Sequence, residues 1–190
     1  ESMVPKLLVG DRLIADGWAY WRDEPKRGDI VVFDYPRDPG TNFLIELFGM
    51  SHDNRLVKFV GYDYTKFVKR LVGLPGDKIE LKRGELYVND KVVPQHRTEK
   101  PYEVDHGWRV TELVEDLGGV LHTINRSQPE NDSSYGPVTV PPESYFMMGD
   151  NRDRSSDSRV WGFVKRSALN GRMQYIYFSW DSRSEEHTSE

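Results

Sequence analysis

Apolar residues along this chain occur in short runs, and turn residues separate one run from the next. Residues 30–33 form one such run, made of β-branched and aromatic side chains between the turn at 27–29 and Pro36. Such runs are typical of strands, whereas an amphipathic helix needs apolar positions three or four residues apart. Other segments with this pattern are residues 66–72, 79–81, 85–88, 92–93, 144–148 and 171–180. We therefore predict an all-β fold.

Two segments leave the assignment open. Residues 112–115 and 120–124 fit the two strands of a hairpin, although 110–117 alone also fits two helical turns. The apolar run at 43–50 is too short to span a bilayer and fits either a buried segment or a membrane-surface contact. Trp18, Tyr20 and Trp21 could join that segment in either setting, since aromatic side chains favour the bilayer interface when exposed and a core just as readily.

Composition narrows the class of protein. A length of 190 residues suits one domain, or one domain with an insertion. A net charge of -5 argues against a nucleic-acid partner, because such proteins concentrate positive charge against phosphates. The absence of cysteine excludes disulfides, thiolate zinc sites and a cysteine nucleophile.

Familiar catalytic and cofactor motifs are missing from the sequence. It contains no phosphate-binding glycine loop, dinucleotide fingerprint, His-Glu-x-x-His or Gly-x-Ser-x-Gly. The 5 histidines are scattered and lack metal-ligand spacing. We therefore expect no cofactor and no metal.

Lys69 is the first candidate for chemistry. Strand alternation gives it Phe67 and Leu71 as neighbours on the same face. Apolar surroundings lower the pKa of a lysine, which turns its amine into a usable base. The alternative is that Lys69, next to Arg70, is a solvated charge on an edge strand.

The second candidate is the polar segment 149–159, which lacks the glycine and distal glutamate of a calcium-binding EF-hand loop. If the segment is extended, Ser155, Asp157 and Arg159 project to one side. Asp157 and Arg159 then form an ion pair, and Ser155 hydrogen-bonds a nearby amine.

The order of four sequence blocks resembles type I signal peptidase, the bacterial leader peptidase of peptidase family S26. The blocks are Ser2-Met3 with Pro5 and 7–11, then 27–33, then Lys69-Arg70 with 73–77, and finally 149–164. The resemblance extends from Ser2 to about Trp180.

The resemblance implies a Ser-Lys dyad, with Ser2 as the nucleophile and Lys69 as the general base. Ser155 would orient the Lys69 amine, and Asp157 and Arg159 would brace the wall behind it. The Ser2 amide would help bind the oxyanion, and a second donor, a hydroxyl two residues before the nucleophile, would precede residue 1.

In this family the substrate binds extended, and shallow pockets accept the small residues of an A-x-A cleavage site. The matching positions are Met3, Leu7, Phe67 and Val68. Alternation puts Val68 opposite Lys69, so both reach the substrate only if the strand is an edge along which the peptide lies.

The implied fold is the signal-peptidase/SOS-repressor-protease type β-fold with an inserted β-hairpin cap. Residues 1–82 and 138–180 would form the catalytic core and 83–137 the cap. Residues 183–190 are interpreted from their own sequence, RSEEHTSE, as a non-native tail. The implied partners are signal peptides of exported preproteins and the lipid surface, with the protein acting as a monomer. Its implied place is the bacterial cytoplasmic membrane, with the catalytic domain outside the cytoplasm and an anchor upstream of residue 1.

Two other functions remain open at this point. A self-cleaving protease of the SOS-repressor type shares the chemistry and the fold but lacks a block like 149–164. A noncatalytic β module that binds peptide or membrane would retain the fold alone.

Overall fold

The computed structural model describes residues 2–7, 12–36, 66–98, 102–104, 108–127 and 134–178. Most of these residues are in strands, so the predicted all-β class is confirmed. The apolar run 43–50 and the predicted tail 183–190 lie outside the described residues.

The strands are, in chain order, β1 (Arg12–Asp16), β2 (Ile30–Asp34), β3 (Lys66–Gly73), β4 (Lys78–Lys82), β5 (Glu85–Val88), β6 (Lys91–Val92), β7 (Gln95–Arg97), β8 (Tyr102–Val104), β9 (Trp108–Asp116), β10 (Leu121–Ser127), β11 (Tyr135–Thr139), β12 (Ser144–Met148), β13 (Val164–Lys165) and β14 (Leu169–Phe178). Two short helices, α1 (Ala19–Arg22) and α2 (Ser158–Trp161), and a 3₁₀ turn at Arg166–Ala168 complete the described elements.

Three antiparallel sheets organise these strands. The largest has the order β1-β14-β2-β3-β12-β13 and places β3 between β2 and β12. A second sheet has the order β11-β4-β5-β6, and a third has the order β10-β9-β7 with β8 also pairing β9. Strands that are distant in sequence therefore meet at β3.

The β9–β10 hairpin settles one alternative left open by the sequence. The two strands pair in a continuous antiparallel register from Leu121 opposite Asp116 to Ser127 opposite Val110. Gly118 and Gly119 adopt φ values of 74° and 97° in the turn, a region that suits glycine. The hairpin prediction is confirmed, and the helical alternative is wrong.

Apolar clusters cover both faces of the largest sheet around β3. Val72, Phe146 and Met148 pack with residues of the second sheet such as Ile79 and Leu86. On the opposite face Leu71 packs with other buried side chains, namely Val31, Phe33, Tyr145, Met147 and Val164. The last residues of β3 are thus buried on both faces of the sheet. Lys69 lies at the edge of this buried part of the strand.

Within the described part of the chain, no helix has the length and apolar character needed to cross a bilayer.

Candidate active site

The side chains of Ser2 and Lys69 meet although they are far apart in sequence. Lys69 Nζ donates a hydrogen bond to Ser2 Oγ at 2.5 Å, and a second one to the Val68 carbonyl at 3.3 Å. Only 3% of Lys69 is exposed. The interpretation of Lys69 as a solvated edge charge is therefore wrong.

Apolar neighbours surround the Lys69 stem. Phe67 and Leu71 flank it on its own strand, and its cross-strand partner is Val31, which is fully buried. Burial lowers the pKa of Lys69 below its ordinary 10.5, while the negative charges of Asp157 and Asp150 oppose this shift. The result is an amine that gives up its proton more readily than a lysine in water.

Ser2 is fixed through its main chain. Its carbonyl accepts a hydrogen bond of 3.0 Å from the Asn151 amide, which ties the segment to the loop after β12. The next residue, Met3, is buried, and its carbonyl accepts a bond of 2.9 Å from the Leu7 amide. The backbone that carries the Ser2 hydroxyl is therefore held by two main-chain hydrogen bonds, one at Ser2 and one at Met3.

Asp157 organises the segment 149–159. Its carboxylate accepts hydrogen bonds from the Gly149 amide at 3.0 Å and from Arg159 Nε and Nη2, each at 2.7 Å. The Asp157–Arg159 ion pair considered for an extended segment is present, although the segment is not extended at its end. Asp157 is the N-cap of α2, and Arg159 lies inside that helix. A carboxylate that accepts main-chain amides at a helix start stabilises the helix, and here this cap competes with extension.

Ser155 lies at the site without the predicted contact to Lys69. Its Oγ is buried and has no hydrogen-bond partner among the described residues. It packs against Gly149, which also contacts the Ser2 carbonyl. The hydroxyl is thus close to the dyad and remains available for a hydrogen bond.

Sequence reasoning missed two buried ion pairs that hold the same loop. Arg70 binds Asp150 through Nε and Nη2, both at 2.7 Å, and the two residues are 4% and 0% exposed. Arg152 binds Glu115 of β9 in the same two-point manner. Arg70 stands beside Lys69 in the sequence, which was a signal for the first pair. No local pattern marks Glu115.

The predicted substrate-binding residues divide between two faces of β3. Met3, Leu7 and Val68 belong to one cluster with Ile30, whereas Phe67 packs with the cluster around Leu71, on the Lys69 face. Among the described residues, β12 pairs with β3 only from Arg70 onward. On that side no described strand pairs with residues 66–69, and we call this the free edge of β3. Such an edge is the condition for Val68 and Lys69 to reach one peptide.

Comparison with known proteins identifies relatives along nearly the whole chain. The family described as "Signal peptidase, peptidase S26" matches residues 1–180. A probable signal peptidase I-2 from Synechocystis is 34% identical over 174 residues, which cover 90% of this chain and 57% of the relative. The signal peptidase I of Aquifex aeolicus is 33% identical over 197 residues, which cover 94% of this chain and 73% of the relative.

A crystal structure of a signal peptidase I from Enterococcus faecalis is 24% identical, covers 80% of this chain and 98% of its own, and has a TM-score of 0.43. The chain spans between 56% and 73% of the length of the first five curated relatives that it matches. From the family match over residues 1–180, the chain belongs to the signal peptidases of peptidase family S26.

Proposed function

We propose that this chain is the catalytic part of a signal peptidase I, a serine endopeptidase that removes signal peptides from exported preproteins after small residues of A-x-A type. The observation that supports this most is the 2.5 Å contact between Ser2 Oγ and the buried Lys69 amine. Family membership and the free edge of β3 support the substrate class. No cofactor is needed for this chemistry.

In the proposed reaction, neutral Lys69 takes the proton of the Ser2 hydroxyl as Oγ attacks the scissile carbonyl. The Ser2 amide donates to the oxyanion that forms. Lys69 then passes the proton to the departing amine, and the acyl-enzyme is hydrolysed by a water activated in the same way. Ser155 would steady the Lys69 amine, and Asp157 with Arg159 would fix the wall behind it.

The substrate is proposed to lie extended along residues 66–69, where it would pair with the free edge of β3. Alternate side chains of an extended peptide point to opposite faces. One face would meet Met3, Leu7 and Val68, and the other would meet Phe67 beside the dyad.

The bilayer surface is the proposed setting, with the catalytic part on the extracytoplasmic side of the bacterial cytoplasmic membrane. Trp18 and Trp21 are 69% and 84% exposed, and their ring centroids lie 6.1 Å apart. Neighbouring exposed indoles suit the lipid headgroup region. Leu47 and Phe48, in the apolar run 43–50 outside the described residues, are proposed from the sequence as a second contact with the bilayer.

For the domain organisation, we propose a discontinuous core of residues 1–82 and 138–180 with 83–137 as an inserted cap. The pairing of β4 with β5 and β11 supports a close association between the two parts.

Cleavage of an A-x-A peptide by matched variants tests the proposed dyad. Ser2→Ala and Lys69→Met are each expected to abolish turnover, because one removes the nucleophile and the other removes the base. Lys82→Met is the control, since it makes the same change at an exposed lysine of β4, 52% accessible in its side chain and outside the proposed substrate edge. Near-normal turnover by Lys69→Met would exclude the dyad.

Vesicle co-sedimentation tests the proposed membrane surface separately. We expect weak binding of the native chain to phosphatidylcholine vesicles, and loss of binding on Leu47→Asp with Phe48→Asp or on Trp18→Ser with Trp21→Ser. Val92→Ser is the control at a distant exposed apolar residue, 49% accessible. Unchanged binding by both double variants, or collapse of the fold on circular dichroism, would remove these residues from the proposed surface.

A further inference from the structure

The β9–β10 hairpin packs against the loop that follows β12 and binds it through hydrogen bonds and ion pairs. Glu115 of β9 accepts a bond of 2.8 Å from Arg152 Nη1 at Oε2, and a second bond from Nη2 at Oε1. Glu115 is 0% exposed and Arg152 is 3% exposed. A two-point carboxylate–guanidinium pair with both partners buried fixes distance and orientation together.

Further groups hold Glu115 in place. Gln95 Nε2 of β7 donates to Glu115 Oε2 at 2.7 Å. His122 Nε2 of β10 lies 3.4 Å from Glu115 Oε1 and 4.0 Å from Asp150 Oδ1. Burial by itself would raise the pKa of Glu115, but the charge and hydrogen bonds of Arg152, together with His122, bring it down to about 2. Glu115 is therefore ionised throughout the neutral range, as its partner requires.

The main chain of the hairpin contacts the same loop. The Asn125 amide donates to the Asp150 carbonyl at 2.9 Å, and the Arg152 amide donates to the Asn125 carbonyl at 3.0 Å. The side chain of Arg126 binds Asp153 at 3.3 Å. Side-chain and main-chain contacts thus hold residues 150, 152 and 153 against the hairpin. Asn151 lies between them in the same loop.

Both halves of the site depend on these loop residues. The Asn151 amide, between the two main-chain contacts, donates to the Ser2 carbonyl at 3.0 Å. The Arg152 carbonyl accepts a bond of 2.7 Å from Arg159 Nη2, and Arg159 in turn pairs with Asp157. A displacement of Arg152 would therefore move the serine backbone and the wall behind Lys69 together.

We propose that Glu115 is a positioning residue for catalysis: by binding Arg152, it holds the 150–153 loop in the register that keeps Ser2 against Lys69. The β9–β10 hairpin then has a catalytic purpose beyond its own stability. This inference rests on the proposed dyad.

Glu115→Gln removes one charge of the pair and leaves the Arg152 guanidinium buried beside an uncharged amide. Since an uncompensated buried charge is costly, the loop is expected to shift or admit water. Water near Lys69 reverses part of the burial that lowers its pKa, so the midpoint of the pH–rate profile should move to higher pH. The Lys69 amine bonds Ser2, and the negative charges that act on it are those of Asp157 and Asp150. Asp150 belongs to this loop, the Ser2 carbonyl binds it, and Asp157 is linked to it through Arg159.

The test measures kcat, KM and the pH dependence of kcat in the intact protein, with an A-x-A peptide as substrate. For Glu115→Gln we expect a fall in kcat of roughly 10- to 100-fold, as for a small misplacement of catalytic groups, with KM nearly unchanged and an upward shift of the pH midpoint. Glu115→Asp, which restores the charge, should recover part of the lost kcat and part of the shift in the pH midpoint. Glu112→Gln is the matched control, since it makes the same chemical change in the same strand on the opposite face.

A double variant separates positioning from stability. Glu115→Gln with Arg152→Met removes both charges, so no unpaired charge remains and the fold should recover its melting temperature. If positioning is the role of the pair, kcat stays low and the pH midpoint stays shifted. A folded Glu115→Gln protein with native kcat and midpoint overturns the inference. Turnover by Lys69→Met would instead overturn the dyad itself, so the two failures are distinguishable.

Discussion

The main-chain carbonyl of Ser2 lies directly against Gly149, at a position where a β-carbon on Gly149 would overlap it. The same β-carbon would also overlap the side chain of Ser155. The nucleophile segment and the loop that holds Asp157 can approach this closely only because residue 149 has no side chain.

Gly149→Ala is therefore expected to reduce kcat by about 100-fold, because the added methyl must push Ser2 away from Lys69. Peptide turnover measures the loss of activity, and circular dichroism shows separately whether the fold is retained. Gly17→Ala is the control, since the nearest atom to its added carbon is the Asn170 carbonyl oxygen at an ordinary 3.6 Å. Equal activity in the two variants would show that Ser2 does not depend on this contact.

The pH dependence of cleavage follows from the lowered pKa of Lys69. Only the neutral amine accepts the serine proton, so activity falls as the pH drops through the pKa of Lys69. Burial lowers that pKa, and we expect the rising limb of kcat/KM at a lower pH than an ordinary lysine, with a pKa of 10.5, would give. A profile that rises near the ordinary histidine pKa of about 6.5 and is flat by pH 7 would indicate a different base.

Lys69→Met should stabilise the fold while it removes activity. A lysine whose pKa is lower in the folded state than in the unfolded state destabilises the fold at neutral pH, and this penalty disappears as the pH rises through the unfolded value. Methionine fills similar space without the charge, so the melting temperature at pH 7 should rise by a few degrees. A large fall in melting temperature would mean that the Lys69 amine supports the fold.

Acid unfolding should report on Glu115. Its pKa in the folded state is about 2, against an ordinary 4.5, so its contribution to stability is complete above about pH 4.5 and is lost as the pH falls through 2. The loss amounts to about 3 kcal/mol in the free energy of unfolding. Urea titrations across this range should show a weaker pH dependence for Glu115→Gln than for Glu112→Gln. Identical slopes would argue against an ionised, paired Glu115.

The sequence was enough to predict the strand content and to make Lys69 a candidate because both depend on local patterns, whereas the dyad came from the family resemblance. Short β-branched runs between glycine and proline turns predict β2 and β3 whatever surrounds them. Lys69 stands out because Phe67 and Leu71 flank it at the two-residue period of a strand. The order of the four sequence blocks then indicated, through the family resemblance, that Ser2 is the partner of Lys69.

The support around the dyad depends on contacts between distant segments, which no local pattern encodes. Glu115 looks like any strand glutamate until β9 is packed against the 150–153 loop. For the end of the 149–159 segment, strand alternation was considered and helix capping was not, whereas Asp157 caps α2 and pairs with Arg159 at the same time.

Covalent labelling of Ser2 tests the central claim most directly. An electrophilic acylating inhibitor with an A-x-A peptide sequence should form one adduct, located by mass spectrometry on the Ser2 hydroxyl, at a rate that rises with pH. The adduct should be absent from Ser2→Ala, strongly slowed in Lys69→Met and formed at the native rate in Lys82→Met. An adduct on another residue, or native labelling of Ser2 in Lys69→Met, would contradict the account.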